Sequence, residues 1–349
     1  MFDRLIGSRR LRAGELVDVK DLPAILATLS PEGDLDGLPF MPEMTQFCGR
    51  RMRVFKRVHK SCDLQYGQGG VSTGRLVNLV GARCDGAAHG GCQASCSLLW
   101  HESWLRRAGD SGELETHPVP PSAAEPASFP ESWTVNPERG AGGAVRYRCQ
   151  VTEQPHYTRP LSPFRLRQYV EDYFSGNVNL KEFVGGALRT VYRGLVQIGI
   201  GYRFWVRLYN WIQRQRGGLQ HPYVQGTLKT TPVQTLDLKE GEWVRIKPFD
   251  EIMKTVDTNN KNRGLWFVPQ EMGEYCGREA RVAKRVDRII NERTGEMIQF
   301  KTPSVMLDDV YCRGLAIPKR VFCPRASALF WREIWLERAQ PAGQREVRN

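Results

Sequence analysis

The chain has 349 residues, 41% of them hydrophobic and 25% charged, which excludes wholesale disorder and is too long for one small core, so two or three domains are expected. A formal net charge of +12 points to an anionic partner (nucleic acid, a membrane surface or an acidic protein) or simply to a basic solvent face. The start, MFDRLIGSRRLRAGELVDV, is broken by charge throughout and does not read as a secretory leader, so a cytoplasmic location is expected, where the nine cysteines stay reduced and metal binding or thiol chemistry gains weight over disulfides.

In chain order, DLPAILATL has helical spacing with an acidic residue at its start and predicts a short helix, and RMRVFKRV alternates as a strand. CDGAAHGGCQASC, Cys84 to Cys96, packs three cysteines and a histidine around Gly86, Gly90 and Gly91, which tolerate the unusual backbone angles needed to fold thiolates around one centre. Trp100 and Trp104, four residues apart, are expected to share one helical face in the core. GDSGELETHPVPPSAAEPASFPES has almost nothing to bury and predicts an exposed linker. RLRQYVEDYF and the stretch from Leu180 to Arg216 have helical spacing, the second bent near Gly199 and Gly201. Arg189, Arg193, Arg203, Arg207 and Arg214 rule out an ordinary transmembrane span there. A connecting helix packed between lobes is the favoured reading, and peripheral membrane contact through 180–216 is the alternative.

The chain then repeats itself. GELVDVKDLPAILATLSPEGDLDGLPFMPEM from Gly14 lies over GEWVRIKPFDEIMKTVDTNNKNRGLWFVPQEM from Gly241, and CQASCSLLWHESWLRRA over CPRASALFWREIWLERA. EWVRIK, IQF and SVMLDDVYC read as strands of the second copy, FDEIMKTV as its short helix, and INERTGEM as a hairpin tip. The expected architecture is α+β: two homologous small SH3-like β-barrel units joined by a linker and a central helical segment. The expected boundaries are 1–108 for a cysteine-rich metal-binding unit, 109–162 for the linker, 163–218 for the helical connector, 219–340 for a second unit with a partial cysteine set, and 341–349 for a tail.

The duplication sorts the cysteines. Cys48, Cys84 and Cys92 match Cys276, Cys312 and Cys323, whereas Cys62 and Cys96 meet Ile290 and Ser327, and His59 meets Asp287. The first copy thus has soft ligands where the second has ordinary residues. The candidate metal ligands are Cys84, Cys92 and Cys96, with the fourth position open among Cys62, Cys149, and His59 or His89. Four thiolates suit an iron–sulfur cluster, the favoured reading because no C-x-x-C knuckle is present; structural zinc is the alternative, above all with His89 as a ligand. Cys48 and Cys276, each before Gly-Arg, fit buried structural thiols. A nucleophile, Cys92 or Cys96 paired with His89, is a further reading.

LDGLPFMPEM, CGRRMRVFKRVHKSCD, RCDGAAHGGCQASC, NRGLWF and FCPR followed by FWREIWLERA resemble an uncharacterised bacterial family similar to accessory proteins of biosynthetic gene clusters. The resemblance implies an accessory or tailoring role with a redox or biosynthetic partner protein, and no catalytic residue is carried over. At Ser304, in TPSVML, similar proteins carry a cysteine, which counts against a complete site in the second copy. The reading from the residues is a metal-binding protein in an electron-transfer or tailoring step. A zinc-stapled adaptor for nucleic acid or a partner protein, using the arginines of RRMRVFKR and REARVAKR, is the alternative. Phosphate-loop, dinucleotide and hydrolase-elbow motifs are absent from the sequence, which disfavours a nucleotide-dependent enzyme.

Overall fold

The structure is a computed structural model that describes residues 10–63, 70–108, 129–198, 202–216, 225–314 and 321–340. The chain forms two compact units: Met1–Phe183 with Arg288–Ile298 and Phe322–Ala326, and Val184–Asp287 with Gln299–Val321 and Ser327–Asn349. The fold is α+β.

In the first unit β1 (Leu16–Val19) leads into the one-turn helix α1 (Leu22–Leu26), where Pro23 sits in the first turn and fixes a helical φ. A tight pair, β2 (Asp34–Leu35) and β3 (Leu38–Pro39), follows. The long strands β4 (Arg51–Cys62) and β5 (Gly70–Arg83) form the central hairpin, and β6 (Ser97–His101) and β7 (Leu105–Arg107) complete an antiparallel sheet in the order β6-β5-β4-β1-β7. Alternation along β1 buries Val17 and Val19, which join Ile25, Phe40, Met44, Val54, Val77, Leu79, Trp100 and Trp104 in one core. The two tryptophans are core residues, as expected, but not on a helix. Trp100 lies on β6 opposite Val77, and Trp104 ends a 3-10 turn at Glu102–Trp104. Sheet pairing overrides the four-residue spacing.

The proline-rich linker extends less far than 109–162. Residues 109–128 lie outside the described residues, but Phe129, Trp133, Cys149, Val151 and Tyr157 all pack on the first core. Then come α2 (Gln154–Tyr157), β8 (Arg159–Leu161), which pairs with β5, and α3 (Arg167–Phe174). Asn177, just beyond α3, brackets the Arg57 backbone, accepting from its N–H at 2.8 Å and donating to its carbonyl at 2.7 Å. The helices α4 (Leu180–Ile198) and α5 (Tyr202–Arg216) match the predicted helical stretch, and the expected bend at Gly199 and Gly201 lies outside the described residues. Tyr192 and Tyr209 stack at 4.4 Å and so bring α4 and α5 side by side. Among the described residues no helix is long and apolar enough to cross a membrane.

The later elements are β9 (Trp243–Ile246), α6 (Phe249–Met253), β10 (Lys261–Asn262), β11 (Leu265–Trp266), α7 (Pro269–Met272), β12 (Glu279–Ile290), β13 (Met297–Tyr311), β14 (Ala328–Trp331) and β15 (Leu336–Arg338). Their sheet order, β14-β13-β12-β9-β15, matches the first position for position. IQF and SVMLDDVYC are one strand rather than two, β13, with a register shift between Met306 and Tyr311 where Asp309 adopts a φ of 58°. The hairpin tip forms at Asn291, whose carbonyl accepts from the Gly295 N–H at 2.9 Å.

Equivalent residues make equivalent bonds. Trp104 Nε1 donates to Thr28 Oγ1 at 3.0 Å, and Trp335 Nε1 to Thr255 Oγ1 at 2.9 Å. Phe40 meets Trp104 edge-on at 5.6 Å, as Phe267 meets Trp335 at 5.5 Å. One cross-strand ladder keeps its geometry but inverts its charge. Asp18 lies opposite Arg51 and Arg106, with N···O distances of 2.8 and 3.6 Å, and Arg245 lies opposite Glu279 and Glu337 at the same 2.8 and 3.6 Å.

Candidate metal centre: a thiol cluster beside Arg325

The Cys84–Cys96 loop is closed at its base by the Cys84 N–H, which donates to the Cys96 carbonyl at 2.9 Å. Inside it, the Gly86 carbonyl accepts from the N–H groups of His89 at 3.0 Å and Gly91 at 2.9 Å. Gly86 has a φ of 75°, and a Cβ there would sit 2.0 Å from the Cys92 carbonyl oxygen, so only glycine lets the loop turn back this tightly. Ser95 adopts a φ of 48° just before Cys96 and re-aims the chain into β6.

All five candidate thiols belong to the first unit. Burial raises the Cys96 thiol against the pull of Arg325, and the charges of Glu292 and Cys92 push the same way as burial. Cys84 is raised by burial, with Glu43, Cys96 and Cys149 adding to it. Burial pushes Cys149 up to about 12, opposed by the backbone of Thr152 and increased by Cys96. Cys92 Sγ accepts from the Ile290 N–H at 3.3 Å. Cys62, at the end of β4, has its sulfur 4.0 Å from Arg325 Nη1. Among the described residues no group of three or more Cys, His, Asp or Glu side chains is arranged to hold a metal ion.

His89 does not stand as a free ligand. His89 is almost wholly buried, with Nδ1 2.6 Å from Glu43 Oε1 and Nε2 2.9 Å from the Arg148 carbonyl, to which it must donate because a carbonyl only accepts. Both ring nitrogens are engaged in holding the loop, which also leaves His89 unable to serve as base for Cys92 or Cys96. His59 has Nε2 3.1 Å from the Gln168 carbonyl and 3.2 Å from Asp172 Oδ1, while its buried Nδ1 has no partner among the described residues. Cys48 and Cys276, expected as buried structural thiols, are half-buried. Their sulfurs lie 3.8 and 3.9 Å from the carbonyls of Met44 and Met272, and burial pushes them up to about 11 and about 12.

The residues that sequence reasoning missed are Arg325, Glu292 and Tyr157. Burial works against the charge of Arg325, yet Glu292, Cys62 and Cys96 together hold it well above the usual guanidinium value. Its Nη2 lies 3.0 Å from Glu292 Oε1. Tyr157 donates to the Gln150 carbonyl at 2.6 Å, and burial raises its hydroxyl despite Arg325. One signal was available: CPRA aligns with CQAS and sets Arg325 on Ala94, a charge appearing in a loop where the other copy has a methyl group. Comparison with family models, with curated proteins and with solved structures finds no match.

Proposed function

We propose that the chain is a duplicated protein of SH3-like units whose first copy holds a cysteine-ligated metal centre, an iron–sulfur cluster, for electron transfer or a tailoring step in the cytoplasm. Cys84, Cys92, Cys96 and Cys62 would hold it, with Cys149 within the same group. The observation that carries this reading is the guanidinium of Arg325 set beside a thiol: its side chain is 14% exposed, Nη1 lies 4.0 Å from Cys62 Sγ and Nη2 3.0 Å from Glu292 Oε1. Burying a guanidinium costs several kcal/mol unless anions surround it, and one part-exposed carboxylate, Glu292, leaves room for a second negative centre. An anionic thiolate cluster is such a centre, and when bound it supplies one-electron chemistry.

What favours a cluster over zinc is the sequence, which has no C-x-x-C knuckle. Zinc draws four sulfurs to about 2.3 Å from one point, so they nearly touch one another, whereas a cluster, being larger, holds its thiolates farther apart. The adaptor reading has less support, because the strand arginines are engaged: Arg51 with Asp18, Arg53 with the Gly14 carbonyl at 2.7 Å, Arg285 with Glu333 at 3.2 Å. Iron, acid-labile sulfide and zinc measured on protein purified without oxygen, with the visible spectrum, test the proposal. Iron and sulfide in equal amounts are expected; zinc alone would transfer the site to the stapled-adaptor reading, and no metal would end both.

A further inference from the structure

The helices α4 and α5 turn apolar side chains to solvent. On α4, Val184, Leu188 and Val191 recur at i, i+4 and i+7 and are 46%, 65% and 60% exposed; on α5, Phe204, Leu208 and Trp211 repeat the pattern at 63%, 37% and 60%. Between the two helices Tyr192 and Tyr209 stack at 4.4 Å. On α5 the stripe is flanked by exposed Arg203, Arg207, Arg214 and Arg216. Across 180–216 the sequence carries six arginines and one lysine against a single glutamate.

We propose that this helix pair is a docking face for an anionic lipid bilayer, lying in the interface rather than crossing it. The chemistry selects that occupant. A tryptophan and a phenylalanine on a leucine-containing stripe match the depth of the headgroup and acyl boundary, while neighbouring guanidiniums reach anionic phosphates. Nucleic acid would satisfy the arginines and leave the stripe in water. A second copy of the chain would cover the stripe but bring two arginine-rich rims together. The dense arginines forbid insertion across the membrane.

The test uses the full chain and sucrose-loaded vesicles of phosphatidylglycerol mixed with phosphatidylcholine, against vesicles of phosphatidylcholine alone. Sedimentation with the anionic vesicles only is expected, weakening by about tenfold or more when salt rises from about 0.1 to about 0.5 M. Replacing the stripe, Phe204→Ser with Leu208→Ser and Trp211→Ser, should weaken binding by about a hundredfold. If that variant loses its parental circular dichroism, Arg207→Glu with Arg214→Glu keeps the stripe and should weaken anionic binding by a similar factor. The proposal is overturned if the parent stays in the supernatant with anionic vesicles, if folded variants bind as the parent does, or if sedimentation velocity shows a parental dimer that the stripe substitutions dissolve without changing lipid binding.

Discussion

The two repeats are alike in what holds them together and unlike in what they contain. Both close their cysteine loop the same way, the Cys84 N–H on the Cys96 carbonyl and the Cys312 N–H on the Ser327 carbonyl, each at 2.9 Å, and both reach the following strand through a residue at φ 48°, Ser95 or Ala326. Within that shared frame the first repeat places sulfur at Cys62 and Cys96. The second places Ile290 and Ser327 there, and it puts a guanidinium inside instead. Arg332, the counterpart of His101, donates to the Asn262 carbonyl at 3.2 Å, the Arg263 carbonyl at 2.7 Å and Ser304 Oγ at 3.0 Å, and burial draws it down to about 10. Backbone hydrogen bonds and edge-on rings preserve a frame through divergence, while the loop and hairpin-end positions between them are free to change chemistry.

The sharpest way to break this comparison is at the sulfurs. Cys96→Ser should abolish metal loading, whereas Cys276→Ser, in the equivalent frame but outside the cluster, should leave the iron and sulfide content unchanged. Equal losses from both would mean that loading follows folding rather than ligation. Arg325→Gln should lower metal retention against a chelator by about tenfold or more while Arg332→Gln leaves it alone.

Next come the tryptophans. Trp104→Ala and Trp335→Ala should each cost about 3–5 kcal/mol in chemical denaturation, because each fills its core completely. A gap of several kcal/mol between them would show that the repeats lean on their cores unequally. Thr28→Val and Thr255→Val remove the matching acceptors and should each cost about 1 kcal/mol.

The smallest effect concerns acid. The Asp18 carboxyl is held below its ordinary value first by its hydrogen bond from Arg51. A lowered folded value means that its contribution is present above the unfolded carboxylate range and fades as pH falls through the folded value, so the parent should lose stability there slightly faster than Asp18→Asn. A pair on a sheet surface contributes under about 1 kcal/mol, and coincident melting curves for both proteins in acid would show that the ladder contributes nothing.

Much of the frame was legible because duplication supplies its own check: a threonine matching a threonine and a tryptophan a tryptophan turned into the same hydrogen bond twice. The comparison of copies also set Cys48 and Cys276 apart from the other cysteines, and the two sulfurs make the same contact, to the Met44 and Met272 carbonyls. What could not be read was long-range. Nothing local says that His89 is bound between Glu43 and the Arg148 carbonyl, or that Arg325 and Glu292, about two hundred residues beyond Cys96, close the same unit. The tryptophan spacing misled because strand followed by 3-10 turn puts two rings into one core as readily as a helix does. The same limit hid the second half of the linker, where Phe129 and Trp133 are isolated apolar residues in polar sequence yet pack on the core.

The mirrored charges of the sheet ladder bear on assembly of the chain during synthesis. Two nearly interchangeable repeats invite strands to trade partners, a hazard for any tandem protein. Were β1 to settle against β12, Asp18 would face Glu279, and β9 against β4 would set Arg245 opposite Arg51. Each wrong marriage meets like with like, and only the proper couples attract. Ion pairs that contribute little to the finished sheets thus set each pair of strands apart from the other by the sign of its charge.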